Sequence, residues 1–282
     1  MRRGHPQWSE LNLALTDYAG HARALARAAL DAGAELVLAV GGDGTANEVA
    51  EPLLGTDVAF GVVPVGSGNG LARTLGIRLD PEAAVEQLAT GLVRRIDVGT
   101  VNGRPFLNVA GAGFDAAVGA AFHAHGQRGG RRGILSYVRF GLGQLHYAAP
   151  AWHLVADAER FDGRALIVAF ANGRQYGAGA VIAPRALLDD GRLDVVIFED
   201  MPRWRMLLEA TRLFVGGIER ARGYRALAGA RLELTGPAPF EHHRDGEPEP
   251  VSDRLEINVL PRALAVVAPR VTVEDPNGPF LA

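Results

Sequence analysis

The chain predicts an α/β fold followed by a β-rich second part, and three observations carry that expectation. In the first hundred residues apolar strands alternate with helical segments, as parallel strands joined by covering helices require. Two of those strands, Glu35–Val40 and Val58–Val63, run into glycine-rich turns: Gly41-Gly42-Asp43-Gly44-Thr45 and Gly66-Ser67-Gly68-Asn69-Gly70. After Gly91 the pattern changes to short strands punctuated by turn residues, among them Asn102-Gly103 and Asp245-Gly246.

In chain order, the first strand is expected near Asn12–Thr16 and the first helix from Gly20 to Ala32. In that helix Ala22 and Ala26, and Leu25 and Ala29, recur at helical spacing, while Arg23 and Arg27 share another face. This is the pattern of an amphipathic helix covering a sheet. The strand ending at Val40 leads to a helix from Thr45, then to the strand Val58–Val63. A helix at Pro81–Thr90 takes Asp80 as its cap and Pro81 in its first turn, where a missing N–H costs nothing. The β-rich part is read as strands at Asp97–Val101, Phe106–Ala110, Trp152–Asp157, Arg164–Ala171, Leu193–Phe198, Arg231–Leu234 and Leu255–Leu260. Helical segments near Ile134–Leu145 and Arg203–Val215 interrupt it. The apolar stripe Trp204, Leu207, Leu208 and Leu213 is read as core. The division falls near residues 98–103, giving an α/β domain over 1–100 and a β-rich domain over 101–265.

Composition removes several classes of chemistry. The 282 residues are 48% apolar and 22% charged, enough for two compact globular domains. There is no cysteine, which excludes disulfides, thiolate metal sites and cysteine nucleophiles and is compatible with a reducing cytoplasm. All 29 basic residues are arginine, so a Walker lysine, a protein-kinase strand lysine and a Schiff-base lysine are impossible. A net charge of −3 without a basic tail argues against nucleic acid as a partner. Arg2 and Arg3 precede no apolar export segment, and no run of about 18 apolar residues is available to span a membrane. His123 and His125 stand on different helix faces and His242-His243 are adjacent, a poor metal-ligand pattern. Gly66-Ser67-Gly68 lacks the spacing of a serine-hydrolase elbow.

The glycine turns are the chemical signal. A turn rich in glycine lets backbone N–H groups approach an anion, and the helix that follows directs further N–H groups at it. Asp43 stands where a carboxylate reaches a phosphate-bound metal or a reacting hydroxyl. Two such turns at successive strand ends present their loops on one sheet edge.

The pair Gly41-Gly42-Asp43-Gly44-Thr45-Ala46-Asn47-Glu48-Val49 and Pro64-Val65-Gly66-Ser67-Gly68-Asn69-Gly70-Leu71-Ala72-Arg73 resembles the diacylglycerol kinase catalytic domain superfamily. That superfamily includes sphingosine kinases and bacterial lipid kinases, with NAD kinases as more distant relatives. Gly111–Ala116, Ile182–Asp194 and Asp245-Gly246-Glu247 extend the resemblance over most of the chain. It implies an NAD kinase-like α/β nucleotide-binding domain, a C-terminal β-sandwich-like domain, and a tail, 266–282, returning to the first domain. It also implies an ATP-dependent, Mg²⁺-requiring lipid kinase of phospholipid metabolism. Such an enzyme is cytoplasmic, touches the membrane peripherally, and acts on a diacylglycerol or sphingoid-base lipid; the resemblance leaves a homodimer open.

The resemblance implies Asp43 and Glu247 as catalytic carboxylates, although Asp245-Gly246 by itself predicts only a hairpin. Gly41, Gly42, Gly44, Thr45, Gly66, Ser67, Gly68 and Asn69 would hold the nucleotide, with Arg132 and Arg139 reaching its phosphates. The same arginine run, Arg128–Arg132, equally suits anionic lipid head groups. Asp115 is the candidate for the substrate head group, or a helix N-terminal carboxylate. Asp190, with carbonyls of Leu187 and Arg192, would hold a structural Mg²⁺, in a loop that otherwise reads as a solvated turn.

Two departures from the family pattern bear on function. Relatives open with a strand and an Asn-Pro glycine turn that precede the first residues here, so an exposed sheet edge is expected. Gly70 stands where many diacylglycerol kinase relatives carry aspartate. A non-catalytic nucleotide or lipid sensor of the same fold is therefore the alternative. A dinucleotide-binding oxidoreductase fits less well, because Leu71 stands where its third glycine falls.

Overall fold

The computed structural model describes residues 10–119 and 147–281. Helix α1 (His21–Asp31) covers the parallel pair β1 (Leu36–Gly41) and β2 (Ala59–Pro64), with α2 (Asp43–Ala50) between them. Short α3 (Gly70–Thr74) follows β2, and α4 (Pro81–Ala89) starts on Asp80, whose carboxylate accepts the Ala83 N–H at 2.9 Å. Phe60, Leu53, Leu71 and Leu75 are among the buried side chains of this first core.

The remaining strands pair with one another antiparallel. They are β3 (Leu92–Val101), β4 (Arg104–Phe106), β5 (Val109–Gly113), β6 (Ala151–Ala156), β7 (Glu159–Ala171) and β8 (Leu193–Glu199). Helices α5 (Arg203–Ala210) and α6 (Arg212–Val215) lead to β9 (Tyr224–Gly229), β10 (Arg231–Phe240), β11 (His242–Arg244) and β12 (Glu247–Pro248). The long β13 (Ser252–Ala268) and α7 (Arg270–Val273) follow. Phe106, Trp152, Phe161, Phe170 and Phe240 fill the second core.

Strand β13 ties the two parts together. Its first half pairs with β10 and β3; its second half pairs with β3 and, through Val266, lies parallel to β2 at Phe60. The register shifts between Leu260 and Leu264, where Arg262 takes a left-handed φ of 49°. A bulge of this kind bends a strand and lets it serve two layers. Beyond it, Phe280 is buried in the first core, and Leu281 donates its N–H to Asp189 at 2.6 Å.

Several expectations are corrected. Residues 10–16 form no strand: β1 pairs only with β2, so its far side is a sheet edge among the described residues, and no ladder reaches the N-terminal segment. Leu11, Leu13 and Leu15 are exposed there. The strand expected at Phe106–Ala110 is two strands. Asp245 takes the N–H groups of Leu107, Asn108 and Val109, so the chain leaves the β3–β4 ladder and joins β7 and β11 instead. Strands β7, β10 and β13 run longer than expected. In the Arg203–Val215 segment only Leu213 packs on a core; Trp204, Leu207 and Leu208 face outward. The helix expected at Ile134–Leu145 lies outside the described residues. No described helix is long and apolar enough to cross a membrane.

Candidate active site

The two glycine turns meet backbone to backbone. A Cβ on Gly66 would stand 2.6 Å from the Gly42 Cα, and one on Gly41 would strike the Thr45 side chain at 2.5 Å. Glycine at 66 is therefore what allows the turns to close on each other, and glycine at 41 leaves room for Thr45 within the first turn. Asn69 adopts a left-handed φ of 52°, accepts the Gly66 N–H at 3.0 Å and donates its amide to the Gly66 carbonyl at 2.7 Å. Its side chain thus shapes the second turn from within. Arg73 adds a bond from Nε to the Gly68 carbonyl at 3.1 Å.

Asp43 opens α2 between the turns. Its Oδ2 lies 3.0 Å from the position of a Cβ on Gly68, and its Oδ1 accepts the Leu71 N–H at 3.4 Å. Burial, reinforced by the negative charge of Asp245, pushes its pKa up to about 6, against the opposing pull of N–H groups from Leu71, Gly70 and Asn69. A carboxylate that is half-desolvated and faces another carboxylate lacks compensating positive charge, which suits a cation.

Glu247 arrives from the other end of the sequence. Asp245 and Gly246 take φ of 47° and 82°, the pair of left-handed residues that a two-residue hairpin between β11 and β12 demands. The Asp245 carboxylate accepts three backbone N–H groups, from Leu107 (2.7 Å), Asn108 (2.9 Å) and Val109 (2.8 Å), which pins the hairpin to the start of β5. Glu247 Oε1 then stands 3.5 Å from the position of a Cβ on Gly44. The adjoining cleft, about 530 Å³, is lined by Gly44, Thr45, Asn47, Arg104, Arg244 and Glu247, among others. Arg104 and Arg244 both pair with Glu249.

Asp115 lies beside this hairpin, buried in a network. It accepts the Tyr176 hydroxyl at 2.7 Å and faces His243 Nε2 at 3.1 Å. Because the Gly246 N–H points at His243 Nδ1 (3.3 Å), the imidazole proton belongs on Nε2, where it reaches Asp115. Gly111 is required here, since a Cβ would stand 2.9 Å from His243 Nε2. The Tyr147 phenol is pushed up to about 12, first by burial and then by the charges of Asp115 and Glu241.

The acidic loop is a separate place. Asp190 accepts the Arg192 N–H at 3.0 Å, and burial raises its pKa. Asp194 is pushed up to about 6 by burial and then by the Asp190 charge. Asp97 accepts the N–H groups of Gly191 (2.5 Å) and Arg262 (2.7 Å), and Asp189 is paired with Arg94. No group of three or more candidate metal-ligating side chains occurs among the described residues.

The structure thus brings Asp43 and the two glycine turns together, stands Glu247 at Gly44 of the first turn beside the cleft, places Asp115 behind the Glu247 hairpin, and keeps Asp190, Leu187 and Arg192 apart. Arg132 and Arg139 lie outside the described residues. Sequence reading gave His243 no part, and missed Tyr176, Asn108 and the anchoring by Asp245. Asn108 donates to the Gln175 carbonyl at 2.6 Å and accepts the Thr74 hydroxyl at 3.3 Å, bridging α3 to the loop after β7. None of these residues stands in a short motif that spacing could reveal, apart from Asp245 in its hairpin.

Comparison with known proteins shows the family and the fold. Residues 4–101 match the family model of the diacylglycerol kinase catalytic domain, and residues 108–268 match the YegS C-terminal NAD kinase beta sandwich-like domain. A "probable lipid kinase YegS-like" of Pseudomonas aeruginosa (strain UCBPP-PA14) is 34% identical over 92% of this chain and 85% of its own. One of the same name from Klebsiella pneumoniae (strain 342) is 31% identical over 84% and 78%. A crystal structure titled as a diacylglycerol kinase from Bacillus anthracis str. Sterne superposes with a TM-score of 0.69 at 19% identity, covering 91% of this chain and 84% of that one. That last likeness is one of fold.

Proposed function

The chain belongs to the family defined by the diacylglycerol kinase catalytic domain and the YegS-type C-terminal domain, and from that premise we propose that it is an ATP-dependent lipid kinase. The observation that carries the proposal is the meeting of Glu247, on a hairpin late in the chain, with Gly44 in the first glycine turn. A phosphate cradle alone would serve a sensor. A carboxylate delivered to the rim of that cradle serves phosphoryl transfer.

In the proposed step the lipid hydroxyl oxygen attacks the γ-phosphorus of ATP, the bond from that phosphorus to the β,γ-bridging oxygen breaks, and ADP leaves with the electron pair. Glu247 accepts the hydroxyl proton as the new oxygen–phosphorus bond forms. The two glycine turns hold the phosphates through backbone N–H groups, and the opening of α2 adds the favourable end of its dipole. Asp43, under-compensated in charge, would hold Mg²⁺, which when bound neutralises phosphate charge and fixes the oxygens for in-line transfer. The Asp190 loop, with carbonyls of Leu187 and Arg192, fits a second, structural cation, because Asp190 and Asp194 are both raised by burial and by neighbouring carboxylates, Asp97 and Asp189 for the first and Asp190 for the second.

The acceptor is a membrane lipid of the diacylglycerol or sphingoid-base class, and Asp115 faces its head group. A carboxylate buried with Tyr176 and His243 is held in one orientation, as a positioning group for a hydroxyl or amine must be. Incubating the purified protein with ATP, Mg²⁺ and a panel of diacylglycerols and sphingoid bases, with products identified by mass, tests the reading. A phosphorylated lipid formed in step with ADP supports it. ATP binding with no phosphorylated lipid from any acceptor would instead favour the sensor.

A further inference from the structure

Helices α5 and α6 turn their apolar side chains outward. Trp204, Leu207, Leu208, Phe214 and Val215 are 63%, 44%, 62%, 52% and 81% exposed. At 100° per residue these five positions, with Thr211, fall within about a third of the helical circumference. The opposite face carries Leu213, which packs with Tyr224 and Ile218 on a further small core that includes Ile182 and Val196. The segment is therefore an amphipathic unit seated the opposite way round from a covering helix. Single exposed apolar residues need no explanation; five on one face do.

The charge around this face is net positive, and its two glutamates are paired, Glu209 with Arg212 and Glu219 with Arg185. Residues 201–222 contain five arginines and two glutamates, a local +3 in a chain whose net charge is −3. The acidic residues just before the segment are already paired, Glu199 with Arg225 and Asp200 with Arg164. Arg205 lies over the Trp204 ring, 5.0 Å from its centroid, so the indole and a guanidinium share one spot on the surface. Tryptophan and arginine around an apolar face suit a surface that is hydrocarbon below and anionic above.

The face is also continuous with the site. The Leu213 carbonyl accepts the Val181 N–H at 2.8 Å. Val181 closes the loop that carries Tyr176, bonded to Asp115, and Ala178, whose N–H reaches the Gly68 carbonyl at 3.0 Å. One short loop therefore joins the exposed helices, the Asp115 network and the second glycine turn.

We infer that the outward face of α5 and α6 is the surface by which the protein docks on an anionic lipid bilayer, with Trp204, Leu208 and Phe214 entering the interface. The inference rests on the lipid-kinase reading for its purpose, but its test does not depend on activity. Trp204 fluorescence is recorded with vesicles of phosphatidylglycerol and phosphatidylethanolamine, with and without brominated acyl chains, and Trp204→Phe supplies the background of Trp8 and Trp152. A blue shift on mixing, quenching by bromine, and at least about a tenfold loss of vesicle affinity in Leu208→Glu and Phe214→Glu are expected. Arg205→Gln should weaken binding to anionic vesicles about fivefold and leave neutral ones unaffected. All four positions are at the surface, and unchanged circular dichroism and melting confirm each fold.

Flotation with vesicles but no bromine quenching of Trp204 would place the contact elsewhere and overturn the inference. Concentration-dependent dimers abolished by Leu208→Glu, with no quenching, would assign the face to a second copy. Shielding of Trp204 from a soluble quencher without vesicles would assign it to the protein itself. Quenching with no lipid phosphorylation would sustain docking and count against the kinase reading; phosphorylation of a short-chain, water-soluble acceptor with no quenching would do the reverse.

Discussion

Asp245→Asn isolates what holds the Glu247 hairpin in place. In the native structure Oδ1 of Asp245 accepts the Asn108 and Val109 N–H groups, and Oδ2 accepts that of Leu107. Asparagine keeps one carbonyl oxygen for the first two but turns an NH₂ toward the third, whose residue is buried. One charge-assisted bond becomes a buried donor facing a donor, and the other two lose their charge. The cost is about 2–4 kcal/mol. Asparagine tolerates the left-handed φ of 47° at this position, so backbone strain adds nothing. For a chain of this size the melting temperature should fall by about 3–7 °C. Glu247 lies two residues on, and a shift of about 1 Å at its carboxylate lowers turnover about a hundredfold, with ATP affinity little changed. Urea unfolding and steady-state turnover measured on the same preparation check both numbers. Asp245→Ala should be worse, because it orphans all three N–H groups and puts alanine at a left-handed φ. An Asp245→Asn protein as stable and as active as wild type would refute the anchoring, and one destabilised but fully active would separate the anchor from the placement of Glu247.

Asp43→Asn should raise stability and abolish most activity together. A carboxyl moved from 3.8 to about 6 opposes folding at neutral pH by at most about 3 kcal/mol, which the neutral amide relieves, while lipid phosphorylation falls at least about a hundredfold; melting and turnover of the variant check the pair. Asp43 and Asp194 both have raised folded values, so the native state holds more protons than the unfolded one between about pH 4 and pH 6. Stability of the metal-free protein should therefore fall as pH rises through that window, and the melting increment from added Mg²⁺ should be larger at pH 7.5 than at pH 5, measured by calorimetry. Gly70→Asp should not restore a relative-like carboxylate to the site. Its Cβ would stand 2.8 Å from the Tyr176 carbonyl and collide with the Asn108 amide, so a loss of about 2 kcal/mol or more is expected in urea unfolding.

The glycine turns, the strands that feed them and the Asp80 cap were legible because each is a local device with its own residue chemistry. Asp245-Gly246 announced its hairpin for the same reason. What stayed hidden depended on partners distant in sequence. Asp115, Tyr176 and His243 come from three segments up to 128 positions apart, and nothing in His242-His243 distinguishes the histidine that faces Asp115. The split of Phe106–Ala110 follows from a carboxylate more than 130 residues away. The length of β13 was concealed because the strand runs on past Leu260 through a register shift before it pairs again at Leu264. The Trp204 stripe shows a further limit: periodicity identifies an apolar face, while its neighbours in space decide whether that face meets a core. The segment 10–16 has strand-like alternation but no strand beside it to complete a ladder.

The central claim is that Glu247, carried by its hairpin to the first glycine turn, accepts the proton of a lipid hydroxyl. Glu247→Gln keeps the volume and removes the acceptor. With saturating ATP and an accepted lipid, turnover should fall by about 10² to 10⁴ while ATP affinity, measured by calorimetry on the same protein, stays within about twofold. Equal turnover in wild type and Glu247→Gln would contradict the claim, whatever the lipid product.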